Sequence, residues 1–249
     1  MVHTNEIAAH DAVFAADPVP DWARIRHLLR IGFAAALIVL AGDMLLGWGT
    51  ADPSLSGMEQ YFSRYQTVSA ARVVWSALLG MIGIPLECMS YFGIYRLIAS
   101  RSIKLAHAYR AGVIGMLIFG AFVHVMCCAV VFFYQSLSAV SPETAAAQAV
   151  RFAAAFLLPA SGMLFVFFLL MAAVQICAFA RGKACYPRWC WIFSVLFGIA
   201  DVLLMRCCGN RAFAYALSTG WISIGNLWMF GGLLLTASRA QASAADSFS

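Results

Sequence analysis

The sequence predicts an all-α polytopic membrane protein, a bundle of six transmembrane helices with both termini in the cytoplasm. Three observations predict it. Of 249 residues, 63% are hydrophobic and 11% charged, against about 45–50% and about 25% in an ordinary soluble domain. With a mean hydropathy of +0.84, so little polar surface cannot cover a globule of this size. Six apolar runs have the length needed to cross the hydrocarbon, which takes roughly 20 helical residues for about 30 Å. None alternates as a barrel strand would. Finally, Lys and Arg concentrate in alternate connections. Together these features exclude a disordered chain, a disulfide-stapled secreted domain and a soluble enzyme. The formal net charge of +5 reads as topology rather than nucleic-acid binding, because the basic residues sit between apolar runs and no basic-aromatic cluster occurs.

The elements follow in chain order. Residues 1–20 are polar and end in Pro18-Val19-Pro20, which predicts a flexible cytoplasmic tail. Residues 21–30 form an amphipathic lead-in, with Asp21 as its N-cap and Trp22 at headgroup level. The first span is 31–48. Arg24, Arg26 and Arg30 look like the basic start of a signal peptide, but the apolar run continues through Leu45, Leu46 and Trp48 without a cleavage site, so the helix is retained. The remaining spans are 73–98, 111–134, 152–179, 189–205 and 213–237, followed by an Ala/Ser-rich tail over 238–249. The long connection after the first span carries Tyr61, Phe62 and Tyr65 and is expected on the membrane surface. With the N-terminus inside, eleven Lys/Arg face the cytoplasm and five (Arg64, Arg72, Arg151, Arg206 and Arg211) face out. That asymmetry is the positive-inside pattern of a plasma membrane protein.

An ionisable residue at mid-membrane costs about 2.5–3.5 kcal/mol on insertion scales, so such residues point to function. Asp43, Glu87, His124 and Asp201 fall within four of the spans, and Asn226 is a polar companion on the last. Asp43, Asp201 and Asn226 each lie 13 residues from an inner arginine and His124 lies 14, which is roughly 20 Å at about 1.5 Å per residue. Glu87 is lower, but its side chain leans outward toward the others. Three carboxylates in a low dielectric cannot all be ionised together, so the constellation suits proton handling or cation binding. Gly80, Gly83 and Pro85 loosen the helix beside Glu87, and Tyr91 is one turn away and within reach of it. Ser223 shares a face with Asn226, and Arg206 is the cation nearest Asp201. His124, Cys127 and Cys128 lie on one flank of a helix and are the candidates for a metal. One histidine is few for zinc catalysis, which takes three protein ligands. None of the eight cysteines falls in a Cys-x-x-Cys pair, and no cofactor motif is present.

The layout resembles small bacterial six-helix membrane proteins of unknown function. The resemblance rests on Gly42-Asp43, Pro85-x-Glu87, His124 and Asp201. It implies a bacterial inner membrane and no particular activity. The ceramidase-like membrane hydrolases combine an Asp with several metal-binding His, whereas His124 is the only histidine within these spans. The lysoplasmalogenase-like family has an eight-helix layout and is less similar. The residues lead first to a proton- or cation-coupled carrier of a small solute, working through Asp43, Glu87, His124, Asp201 and Asn226. An intramembrane lipid-modifying enzyme using His124 and Asp201, and a non-catalytic scaffold or sensor subunit, are the alternatives. Partners are the bilayer and a small solute or lipid, without nucleic acid, and the short bundle is compatible with a homodimer.

Overall fold

The computed structural model describes residues 20–209 and 211–246, all helices and turns, with no strand among the described residues. The tail expected over 1–20 lies almost wholly outside them. Helix α1 is Trp22–Gly47, α2 is Gly57–Ser63, α3 is Ala70–Ala99 and α4 is Ile103–Ser138. Helix α5 is Pro142–Phe152 and α6 is Leu158–Ala180, joined by a π-turn at Ala153–Leu157. Two 3₁₀ turns, Arg188–Ile192 and Val195–Phe197, precede α7 at Gly198–Cys207. Helix α8 is Ala212–Thr219 and α9 is Trp221–Asp246.

The Asp21 carboxylate accepts the Arg24 amide at 3.0 Å and starts α1. The lead-in and first span are therefore one 26-residue helix, whose Ile25, Leu29 and Ala36 are fully buried. It packs on α3, which packs on α4, which packs on α6. Pro159 explains the π-turn. It has no amide hydrogen for the carbonyl four residues earlier, and its ring crowds that carbonyl, so the turn before it widens. Helices α5 and α6 still form one apolar rod over Pro142–Ala180.

Among the described residues, five helices are long and apolar enough to cross a membrane: Trp22–Gly47, Ala70–Ala99, Ile103–Ser138, Pro142–Ala180 and Trp221–Ala242. Large side chains at their middles face outward, Ile118 at 60% and Val166 at 59% exposure. Exposure of that kind is unfavourable in water and expected against lipid, and it points to a multi-pass membrane protein.

The helix expected over 189–205 does not form. Its place is taken by the two 3₁₀ turns and the ten-residue α7. Apolar length reports burial, not the hydrogen-bond pattern, and here distant side chains serve the backbone instead. Gln175 donates to the Phe193 carbonyl at 2.9 Å, Trp228 to the Ile192 carbonyl at 2.8 Å, and the Leu196 amide donates to the Ser194 hydroxyl at 3.3 Å. The segment runs antiparallel along α9. Tyr186 bonds the Leu233 carbonyl, Val195 meets Gly225 and Gly198 meets Trp221. A Cβ at Gly198 or Gly225 would overlap the facing carbonyl, so only glycine permits this approach.

Two other boundaries differ. The last span, expected over 213–237, is interrupted at Gly220, where glycine's weak helix propensity coincides with contact on Leu40 and Asp43. The expected tail over 238–249 is helical to Asp246. Alanine favours the helix, Ala240 is buried, and Gln241 accepts a 2.6 Å hydrogen bond from Arg26.

Candidate functional site

Two apolar cores occupy the bundle. One, near the described termini, includes Ile25, Leu29, Tyr91, Phe179 and Phe230. The other, at the opposite end, includes Leu46, Phe62, Tyr65 and Tyr134. A polar layer lies between them, brought together from α1, α3, α4 and α9.

Small residues allow the helices to meet there. Gly42 lets α1 approach the Ser76 carbonyl of α3, and the missing side chain of Gly80 leaves the notch that holds the His124 ring. His124 Nδ1 then faces Asp43 Oδ1 at 3.6 Å. The other Asp43 oxygen accepts the Ser223 hydroxyl at 2.7 Å. His124 Nε2 faces the Ser76 carbonyl at 3.0 Å, with the Ser76 hydroxyl at 3.5 Å. Cys128 donates to that hydroxyl at 3.5 Å. Both ring nitrogens thus face an oxygen acceptor. A neutral imidazole donates from one nitrogen only, whereas the doubly protonated ring serves both.

Glu87 is 4% exposed. It stands beside Asn226, with Asp43 and His124 as its electrostatic neighbours. Among the described residues, Glu87 Oε1 meets no hydrogen-bond partner in bonding geometry, and neither does Asn226 Nδ2. The Asn226 oxygen accepts the Tyr91 hydroxyl at 2.8 Å, which fixes the amide orientation. Tyr91 was expected to reach Glu87. It bonds across to α9 instead, because the phenol is longer than one turn of its own helix. Pro85 leaves the Met81 carbonyl without its helical donor, nearly two turns before Glu87. The Asn226 amide is nonetheless the hydrogen-bonding neighbour of the Glu87 carboxyl, so a buried donor and a buried acceptor without other partners face one another across α3 and α9.

Asp201 and Arg206 stand elsewhere. Among the described residues, Asp201 forms no hydrogen bond or ion pair with Asp43, Glu87, His124 or Asn226, and its Oδ2 is unpartnered. The broken segment explains this. A 3₁₀ turn rises about 2.0 Å per residue against about 1.5 Å in an α-helix, so the chain reaches the level of Trp221 already at Gly198. Asp201 therefore lies beyond Trp221, whereas Ser223 and Asn226 lie on the other side of it.

No group of three or more His, Cys, Asp or Glu is arranged to hold a metal among the described residues. Cys128 bonds Ser76, Cys127 faces elsewhere, and all eight cysteines are free thiols.

A second feature is assembled only by the fold. At the end of the bundle away from the described termini lies a cavity of about 950 Å³, bounded by α2, the π-turn, α7 and α8. Tyr61, Tyr65 and Tyr215 join hydroxyls across it at 3.3, 2.9 and 3.0 Å. Arg64 stacks on the Tyr215 ring at 3.6 Å. Burial pushes the Tyr65 phenol well above its ordinary range, so it remains a neutral donor. Leu46, Cys127 and Thr219 form the part of the wall toward the polar layer. The one sequence signal was Arg64 set among Tyr61 and Tyr65, but Tyr215 is 150 residues from Tyr65 and only the fold joins them.

A family model described as a family of unknown function (DUF6796) matches residues 9–240, and the chain belongs to that family. No curated protein matches the chain, nor does any solved structure.

Proposed function

We propose that this chain, from a family that supplies no activity, is a proton-coupled carrier of a small solute in a bacterial plasma membrane. The observation that carries the reading is the polar layer itself. It holds an imidazole with acceptors on both nitrogens, and a buried carboxyl, Glu87, with an oxygen left unpartnered. In this reading Asp43 and His124 hold one proton between them and Glu87 takes up or releases another. Asn226, Ser223 and Tyr91 line the path. Asp201, nearer the far end and next in chain order to the Arg206 turn, is the entry acid.

The topology belongs to the same proposal. Six crossings with both termini cytoplasmic place eleven Lys/Arg inside and five outside. The fifth crossing is then the broken segment from Arg188 to Cys207, whose irregular backbone is served by Gln175 and Trp228. Non-helical backbone within a membrane is tolerated where protein buries it, and broken helices recur beside the sites of secondary transporters.

The test is proton flux into proteoliposomes loaded with a pH-sensitive dye, driven by an imposed potential, with a bacterial small-metabolite extract supplied outside as the source of solute. Wild type should acidify the lumen. Glu87→Gln with Asp43→Asn should abolish the flux while insertion and monodispersity are kept. Undiminished flux in the double variant overturns the proposal. The enzyme alternative has no support in the geometry, because His124 and Asp201 are not paired.

A further inference from the structure

We infer that the 950 Å³ cavity is a binding site for an anionic glycerophospholipid. This goes beyond the carrier reading and uses none of its proton-handling residues. The chemistry of the wall selects the occupant. Its charged groups are Arg64 and Arg206, and no Asp or Glu lines it. Two guanidinium groups without a counter-acid favour a phosphodiester, which arginine meets with paired donors. Stacking on Tyr215 and a bond from Arg64 Nε to the Tyr61 carbonyl at 3.0 Å hold the Arg64 head in place. The terminal nitrogens of Arg64 are left for a ligand.

The rest of the wall is apolar. Val130, Val131, Ala153, Ala154 and Leu157 form a trough, floored by the π-turn, whose Ala153 and Ala154 leave room where larger side chains would close it. Helix α7 packs chiefly on α8 and α9, so the trough lies between it and the Pro142–Ala180 rod rather than in a sealed helix pair. The volume is at the upper end of the roughly 300–1,000 Å³ of ligand cavities. Arginine and a tyrosine belt at one end of an apolar trough match the order of headgroup and acyl chain in a leaflet. A soluble anion would leave the trough unfilled, and a zwitterionic lipid, whose own ammonium offsets its phosphodiester, would bring no net charge to the two guanidinium groups.

The experiment is native mass spectrometry of the full-length protein in neutral detergent. It is titrated separately with palmitoyl-oleoyl phosphatidylglycerol, with phosphatidylcholine of the same chains, and with glycerol phosphate. Wild type should retain one phosphatidylglycerol per chain, with phosphatidylcholine bound about tenfold more weakly. Arg206→Gln, at an exposed position that leaves the fold intact, should erase that preference. Ala154→Trp should fill the trough and remove bound lipid of either kind while the melting temperature is kept. Equal retention of the two lipids by wild type overturns the inference in favour of annular lipid. Displacement of phosphatidylglycerol by glycerol phosphate overturns it in favour of a soluble anion. Undiminished lipid retention by Ala154→Trp also overturns it. Proton flux is read separately, so the carrier proposal can fail while this one stands.

Discussion

Gly80 and His124 share one volume: a Cβ on the glycine would overlap the imidazole ring. The histidine is therefore held as much by the absence of a side chain on α3 as by the presence of Asp43. Gly80→Ala should push the ring off its partner and destabilise the fold by about 1–3 kcal/mol, as overpacking does. Thermal unfolding in detergent measures it. Gly162, on the Pro142–Ala180 rod, provides the contrast. Nothing lies within 4 Å of its missing Cβ, so Gly162→Ala should stabilise by about 0.5–1 kcal/mol.

The Asp43 carboxylate depends on Ser223 for one oxygen and on His124 for the other. Ser223→Ala removes a donor and should cost about 1–3 kcal/mol. Asp43→Ala leaves the imidazole beside the Ser76 carbonyl without its counter-charge and should cost about 3–5 kcal/mol. Chemical denaturation of both variants ranks them; a smaller loss for Asp43→Ala than for Ser223→Ala would contradict the ion-pair geometry.

The broken segment relies on two borrowed donors. Gln175→Leu orphans the Phe193 carbonyl and Trp228→Phe orphans the Ile192 carbonyl. Each should lower stability by about 1–3 kcal/mol. Hydrogen exchange should localise the added opening to residues 188–197 and leave α4 protected. Uniform loss of protection would mean the segment is not an independent weak point.

Asp52, in the connection between α1 and α3, accepts the Ser54 amide at 2.9 Å and its hydroxyl at 2.6 Å. These bonds hold its carboxyl below the ordinary 3.8. The sign follows: a depressed value in the folded state means support for the turn that is present above 3.8 and lost as pH falls through the lower folded value. Titration by NMR should find a midpoint under 3.8, restored toward it by Ser54→Ala.

Much of this architecture is legible in the residues. The runs that form α1, α3, α4 and the Pro142–Ala180 rod are apolar, long and free of alternation, and spacing from the inner arginines places Asp43 and His124 at one height. Asp201 obeys the same arithmetic and still stands apart, because the rule assumes a continuous α-helix from Arg188. Nothing local announces that Gln175 and Trp228 will serve the Phe193 and Ile192 carbonyls. Those partners are tertiary, and so is the break they sustain. The cavity was hidden for a related reason. It is bounded by segments from Leu46 to Trp221, and no stretch of chain contains enough of it to be recognised.

The 2.6 Å bond from Arg26 to Gln241 ties the first long helix to the last. The described chain leaves the bundle where it enters it, and the architecture is nearly a closed ring of helices. Such a ring has no privileged beginning. Joining the two ends through a short linker and reopening the chain at the exposed turn 139–141 would retain every interhelical neighbour. A circular permutant of this kind should fold in the membrane with the polar layer intact.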